Sequence, residues 1–239
     1  MKNSNRILIG FVLFIVLVPL MMLAGFISKI KSNNFTTENF NNPKREVTKL
    51  EPANYVVVKS YREGTCNIGY AAQPQYYQYY QAPGDTLDIH RAGDTLVFEW
   101  KHKPGTPEVD NGEGVSMDID LPLVSLLVAD GLTISVDSLS PEKPSDILLQ
   151  HDAGLVLGNE YDHETIAKYG QVKVTARNSK VKIQSKSEIA GLQLNLEGES
   201  AVEIDPKATV GEVSGTISEM TVVNAPYRII SRLKPAVVQ

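Results

Sequence analysis

Residues 180–204 read KVKIQSKSEIAGLQLNLEGESAVEI, and the spacing inside this stretch decides the fold. Val181 and Ile183 make one apolar-x-apolar pair beside Lys180 and Lys182; Val202 and Ile204 make another around Glu203. Successive side chains of a strand point to opposite faces, so each pair faces one way and its charged neighbours face the other. One such strand cannot bury its apolar face alone, but strands repeated at the interval from Val181 to Val202 can stack and bury one another.

The same pattern recurs on both sides as DGLTI, AGLVL and SEMTVV, with pairs Leu132/Ile134, Leu155/Leu157 and Met220/Val222. The first members of the five pairs are thus Leu132, Leu155, Val181, Val202 and Met220, and the widest interval runs from Leu155 to Val181. Such intervals suit the coils of a parallel β-solenoid, and crossovers between parallel strands are right-handed. The expected core ladder is Leu155, Leu157, Val181, Ile183, Val202 and Ile204, with an antiparallel sandwich as the alternative. Residues 163–169 (HETIAKY), inside the widest interval, read as a short helical turn.

Upstream, period-two alternation predicts strands at residues 56–58, 86–89, 95–100, 117–121 and 132–136. Ala92-Gly93-Asp94 reads as a turn between two of them. Residues 52–105 are therefore expected to form a β-meander, and residues 103–114 (KPGTPEVDNGEG) to form a loop. The fold class is all-β: a right-handed parallel β-helix or solenoid-like domain with N-terminal β-meander strands, preceded by one transmembrane α-helix.

Residues 117–134 (MDIDLPLVSLLVADGLTI) with the coils after them, and the strands at residues 55–70 and 85–100 before them, resemble the auto-transporter adhesin head GIN domain family. The similarity covers most of residues 53–225. Where that family carries Gly-Ser-Gly turns, this chain reads ADG, DAG, RNS, GES and ISE. The resemblance implies a β-helical, exported, surface-type domain of the bacterial envelope and transfers no catalytic residue.

Residues 7–28 (ILIGFVLFIVLVPLMMLAGFIS) carry no charge and are bracketed by Arg6 and Lys29. As a helix this run is roughly 33 Å long, enough for a hydrocarbon core of about 30 Å. A cleaved signal peptide is the competing reading, but the run is longer than an ordinary signal core and no A-x-A site follows. Pro19 removes one helical hydrogen bond, which membrane helices tolerate. Lys2 and Arg6 nearly balance Lys29 and Lys31, so orientation rests on the resemblance. The expected organisation is a cytoplasmic N-terminus (1–6), a bilayer-spanning anchor (7–28), a polar linker (29–51) and an extracytoplasmic domain (52–239). The expected place is a bacterial cell membrane, crossed once, with the domain on the periplasmic or extracellular side.

Hydrophobic residues at 42% and charged residues at 21% are ordinary for globular protein and argue against disorder. From residue 31 onward there are 20 basic and all 28 acidic residues, a formal charge of −8 that disfavours nucleic acid. Cys66 is the only cysteine, which excludes an intramolecular disulfide and a cysteine-based zinc site.

The most unusual local feature is Tyr76-Tyr77-Gln78-Tyr79-Tyr80. Consecutive strand residues face opposite sides, so these rings cannot all enter one core, and outward tyrosines can stack on sugars or protein partners. Tyr76, Tyr77, Tyr79 and Tyr80 are the candidate ligand-binding residues. Asp118 and Asp120 share one face of a strand, as clustered acids do in sugar-cleaving enzymes, although a solvated face explains them more simply. His151-Asp152 and Asp162-His163-Glu164 read as turn residues rather than metal ligands. No catalytic residue, metal or cofactor is assigned. The expected function is a membrane-anchored, non-enzymatic envelope domain of adhesin-like, structural or binding type, with a glycan or protein partner. The alternatives are a carbohydrate-active enzyme using surface acids and a cytoplasm-facing regulatory domain on an inverted anchor.

Overall fold

The computed structural model describes residues 47–80, 84–106, 115–122, 124–139, 143–158 and 165–235, without the side chains of residues 79 and 80. The expected N-terminus at 1–6, the anchor at 7–28 and most of the 29–51 linker lie outside the described residues. Among the described residues no helix is long and apolar enough to cross a membrane.

The chain enters through β1 (Thr48–Lys49), β2 (Tyr55–Ser60), β3 (Gly64–Tyr70), β4 (Gln75–Tyr80), β5 (Asp85–Ala92) and β6 (Thr95–His102). It continues through β7 (Val115–Leu121), β8 (Leu126–Asp130), β9 (Thr133–Val136), β10 (Ser145–Gln150), β11 (Gly154–Leu157) and β12 (Ala167–Arg177). It closes with β13 (Lys180–Ile183), β14 (Ser187–Glu197), β15 (Ala201–Ile204), β16 (Thr209–Ile217), β17 (Val222–Asn224), the single turn α1 (Tyr227–Ile230) and β18 (Lys234–Pro235). The described protein is thus nearly all β.

The strands form two nine-stranded mixed sheets. Sheet one has the order β1-β4-β7-β3-β9-β11-β13-β15-β17 and sheet two β18-β16-β14-β12-β10-β8-β2-β6-β5. From β8 onward successive strands alternate between the sheets, and each pairs in parallel with the strand two places later. Inward residues of both sheets make one hydrophobic core.

Strand register explains the repeat. Ile134, Leu155, Val181, Val202 and Val223 stand in one row, at equal intervals along the chain except for the longer step from Leu155 to Val181. Val136, Leu157, Ile183 and Ile204 form the next inward row, so the six expected ladder residues are all buried. Two of the outer pairs fall elsewhere than the spacing predicts. Leu132, Ile134 and Val136 are all buried, and the pair that registers with Leu155/Leu157 is Ile134/Val136. Three apolar residues at period two leave an ambiguity of one alternation that only pairing resolves. Met220 and Val222 do not continue the core: they are 61% and 68% exposed, because the stack ends there and Val223 takes the register position.

Two further expectations are corrected. Ala167–Arg177 is an extended strand, so the helical turn expected at 163–169 is not formed over its described part; residues 163 and 164 lie outside the described residues. Ala167 and Tyr169 point inward opposite Ser187 and Ile189, so tertiary pairing overrides local helix propensity. The β-meander expected at 52–105 is not formed either. β2 lies between β6 and β8 and β3 between β7 and β9, in each case parallel to both neighbours. Among the described residues only β5 and β6 join sequence neighbours as an antiparallel hairpin, through Gly93 at φ 64°. Alternation marks strands but not their partners, and the corner at residues 61–63 sends the chain into the other sheet rather than back along the same one.

The corners from sheet two into sheet one share a backbone requirement. Asn178 and Gly198 adopt φ 50° and 61°, the left-handed region that favours Gly and Asn. They stack closely: a Cβ on Gly198 would lie 2.0 Å from Asn178 Oδ1, the atom that accepts the Glu199 N–H at 3.0 Å. Beside this corner the buried Ser200 Oγ donates to the Glu197 carbonyl at 2.7 Å. Across the core, Tyr169 accepts the Gly158 N–H at 2.6 Å and donates to the Val136 carbonyl.

Two outcomes follow from these rows. Val202→Asp places an unpaired charge in the core and should cost on the order of 4 kcal/mol in urea unfolding, whereas Glu203→Lys should stay within about 0.5 kcal/mol. Burial holds the Tyr169 phenol well above the ordinary tyrosine range. The unfolded phenol ionises near pH 10, so its contribution is complete below that pH and is lost as pH rises further. Tyr169→Phe should therefore lose only about 0.5–1.5 kcal/mol at neutral pH, since the Gly158 N–H keeps its bond to the Val136 carbonyl at 3.2 Å, and should flatten the alkaline loss of stability.

Candidate ligand-binding face

The outward residues of sheet one fall into rows that cross the strands. One row runs Thr65–Thr133–Gly154–Lys180–Ala201 and the next Asn67–Ser135–Val156–Lys182–Glu203. Ser116 and Asp118 extend them at one end, Val222 and Asn224 at the other. The first row from Ser116 to Val222 and the second from Val156 to Asn224 border a groove of about 860 Å³, while Asp118, Asn67 and Ser135 of the second row lie beside it. Its floor is low where residues are small: a Cβ on Gly154 would lie 2.5 Å from Thr133 Oγ1. Seven strands, from β7 at one end to β17 at the other, cross beneath these rows, a length of roughly 29 Å at ~4.8 Å per strand.

The tyrosine run and the aspartate pair, separate features in the sequence, meet at the head of this face. β4 lies antiparallel on β7, which sets Tyr77 opposite Asp118 and Gln75 opposite Asp120. Tyr77 therefore heads the same outward row as Asp118, Asn67 and Ser135. Its hydroxyl accepts a hydrogen bond from Gln75 Nε2 at 2.9 Å, and the same amide reaches Asp120 Oδ2 at 2.9 Å. Asn67 Nδ2 donates to Asp118 Oδ1 at 2.7 Å. The two carboxylates are thus each tied to an amide. Tyr76 turns the other way, half-buried, with its ring edge-on to Phe98 at 5.9 Å. Tyr80 pairs through its backbone with Ser116; the side chains of Tyr79 and Tyr80 lie outside the described residues.

A second cluster carries no signal in the sequence. Asp85, whose side chain is only 1% exposed, receives the Tyr61 hydroxyl, Arg62 Nη1 at 3.4 Å and His102 Nδ1 at 3.3 Å. His102 Nε2 sits 2.9 Å from the Thr106 carbonyl. Burial, and then the bond to Asp85, raise the Tyr61 phenol above its ordinary value. These residues come from the corner after β2 and from the two ends of the β5–β6 hairpin. They tie the hairpin to the parallel strands, and partners that stand 17 to 24 positions from Asp85 in the sequence leave no local trace of it.

Among the described residues no group of three or more His, Cys, Asp or Glu is placed to hold a metal. His151 pairs with Asp130 at 2.6 Å, and residues 162–164 lie outside the described residues. Cys66 stands on an inward row between Met117 and Ile134. Burial, with a smaller contribution from the Asp118 charge, pushes its thiol well above the usual cysteine range. The folded protein should resist an aromatic disulfide reagent at pH 8 and yield one reactive thiol in denaturant. Rapid labelling of the native protein would contradict the buried row.

No family profile matches the chain, and a comparison with curated proteins finds no match. Among solved structures, it is similar to a "putative adhesin" from Bacteroides fragilis at 10% identity and TM-score 0.41, covering 79% of this chain and 91% of that one. A "putative cell adhesion protein" from Clostridium sporogenes gives 10% identity and TM-score 0.27 over 76% of this chain and 99% of that one. A "putative adhesin" from Parabacteroides merdae gives 8% and 0.31 over 80% and 95%. Likeness at this level assigns neither a family nor a ligand.

Proposed function

We propose that this chain is a membrane-anchored envelope protein whose β-domain binds an extended polymer across the outer face of sheet one. The observation that carries the reading is the groove that the outward rows of sheet one border; Tyr77 lies outside its lining, at the head of the second row. Residues 7–28 provide the bilayer anchor in this reading, and the domain faces the periplasmic or extracellular side. Alternation of β8 to β18 between the sheets, with a near-constant interval between stacked strands, supports a right-handed parallel β-solenoid and a distant relation to the head GIN domain. The tyrosine run contributes the contact ring, and the role is binding rather than chemistry.

Filling the groove tests the reading. In the full-length chain held in lipid nanodiscs, Ala201→Trp should weaken binding to isolated envelope material at least about tenfold while leaving the thermal midpoint in place. Gln193→Trp, on the exposed outer face of sheet two, should leave binding unchanged. Equal binding by both variants would remove the face from consideration. Protease added to spheroplasts, which exposes the periplasmic as well as the extracellular side, should cut the domain; protection there would favour the inverted anchor.

A second reading, cleavage of the bound polymer, rests on Asp118 and Asp120 sharing one face of β7 beside Tyr77. Two carboxylates flanking one bond are the requirement for glycoside hydrolysis. Release of new reducing ends by the wild type, abolished in a folded Asp118→Asn variant, would establish that reading over binding alone.

A further inference from the structure

We infer that the polymer is an uncharged glycan lying across the strands, with about one sugar ring per strand and its terminal ring against Tyr77. The inference rests on the binding-face reading above and names its ligand class.

The first argument is pitch. Side chains on one outward row repeat at the strand spacing, ~4.8 Å. A pyranose unit advances a linear glycan by about that distance, so each ring meets one strand's pair of outward side chains. An extended peptide presents same-side residues every ~6.7 Å and falls out of step within two or three strands. A peptide that added to a backbone edge would lie along β17, the last strand of sheet one, and not across the rows of side chains.

The second argument is charge and chemistry. The groove is lined by Lys180 and Lys182 against Glu63, Asp152 and Glu203, so it has no excess of positive charge to attract a polyanion. Its other polar groups are hydroxyls and amides: Thr65, Ser116, Thr133 and Asn224. Sugar hydroxyls both donate and accept, and this mixture answers both needs. At the head of the row, Gln75 Nε2 directs its two N–H groups to Tyr77 and Asp120 and Asn67 donates to Asp118, so what this end offers a sugar hydroxyl is carboxylate and amide oxygen acceptors. The Tyr77 ring, steadied through its hydroxyl by Gln75, supplies the apolar surface on which the axial C–H face of a sugar stacks.

Calorimetric titration of the full-length chain in nanodiscs tests this. The probes are linear oligosaccharides of two to ten units from neutral glucans of both anomeric linkages, mannan and galactan, against a polyuronate series and an extended polar peptide. At least one neutral series should bind, with affinity rising with length and levelling off near eight units, about one for each strand from β4 to β17. Its uronate counterpart and the peptide should bind at least about tenfold more weakly. Tyr77→Ser should cost about tenfold with the thermal midpoint unchanged, while Tyr77→Phe, which keeps the stacking surface, should remain near wild type. Absence of binding by every neutral series, or affinity independent of length, overturns the inference. If Ala201→Trp still abolishes capture of envelope material in that case, the binding face stands and only its ligand class is wrong. If that effect is absent too, both readings fall.

Discussion

Parallel, in-register stacking of inward apolar residues is the constraint on which the rest of this structure depends. Strands such as β13 and β15 are four residues long, so each buries only two side chains between the sheets. Two residues stabilise little alone. Their value comes from standing over the same two positions of the neighbouring strand, so that Leu155, Val181 and Val202 form one column and Leu157, Ile183 and Ile204 another. A one-residue slip would turn Lys182 or Glu203 into the core and an aliphatic residue into water, so register is strongly specified.

Stacking of this kind creates a difficulty at each end, where a strand has a neighbour on one side only and its backbone groups invite further pairing. The two ends answer it differently. One is closed by antiparallel strands: β5 on β6, β4 on β7 and β1 on β4. The hairpin β5–β6 presents Asp88 bonded to Lys101 at 2.7 Å on its outward side, and the Asp85 cluster holds its base. At the other end α1 and the turn after it place Ile229 and Leu233 over the core. Arg228 and Arg232 bond the carbonyls of Ala208 and Gly211, at 3.2 and 3.0 Å, along the edge of β16. A guanidinium that donates to an edge carbonyl occupies an acceptor that an added strand would need.

The stacked portion was legible in the sequence because its signal is local and repeated: an apolar pair, a charged residue between, and a corner residue before it. Burial of Val181, Ile183, Val202 and Ile204 could be read from four-letter stretches. Pairing could not. β2 and β6 are parallel neighbours although the chain passes through β3, β4 and β5 between them, and no feature of YVVVKS distinguishes that arrangement from a meander. Tyr169 shows the same limit at one residue, since HETIAKY has helix-forming composition and its described end becomes strand only because β14 lies beside it. The outward face of sheet one was legible in fragments. Tyr77 and Asp118 each stood out, but their adjacency is a product of the β4–β7 register, which no spacing in the sequence encodes.

That difficulty has a physical origin in the way such a face is made. Each strand under the groove contributes only one or two outward side chains, and the next contribution comes two strands later in the chain. Thr65, Lys180 and Glu203 therefore share a surface without sharing a motif. The same construction separates recognition from stability. Inward positions are held to aliphatic residues by stacking, while the outward ones between them face water and can carry hydroxyl, amide or charge at small cost to folding. Gly154 is the exception, an outward position where a side chain would collide with Thr133, so there the floor of the groove is set by packing against a neighbouring strand. A surface built this way can change its chemistry by single substitutions on one parity of each strand while the columns beneath it stay intact.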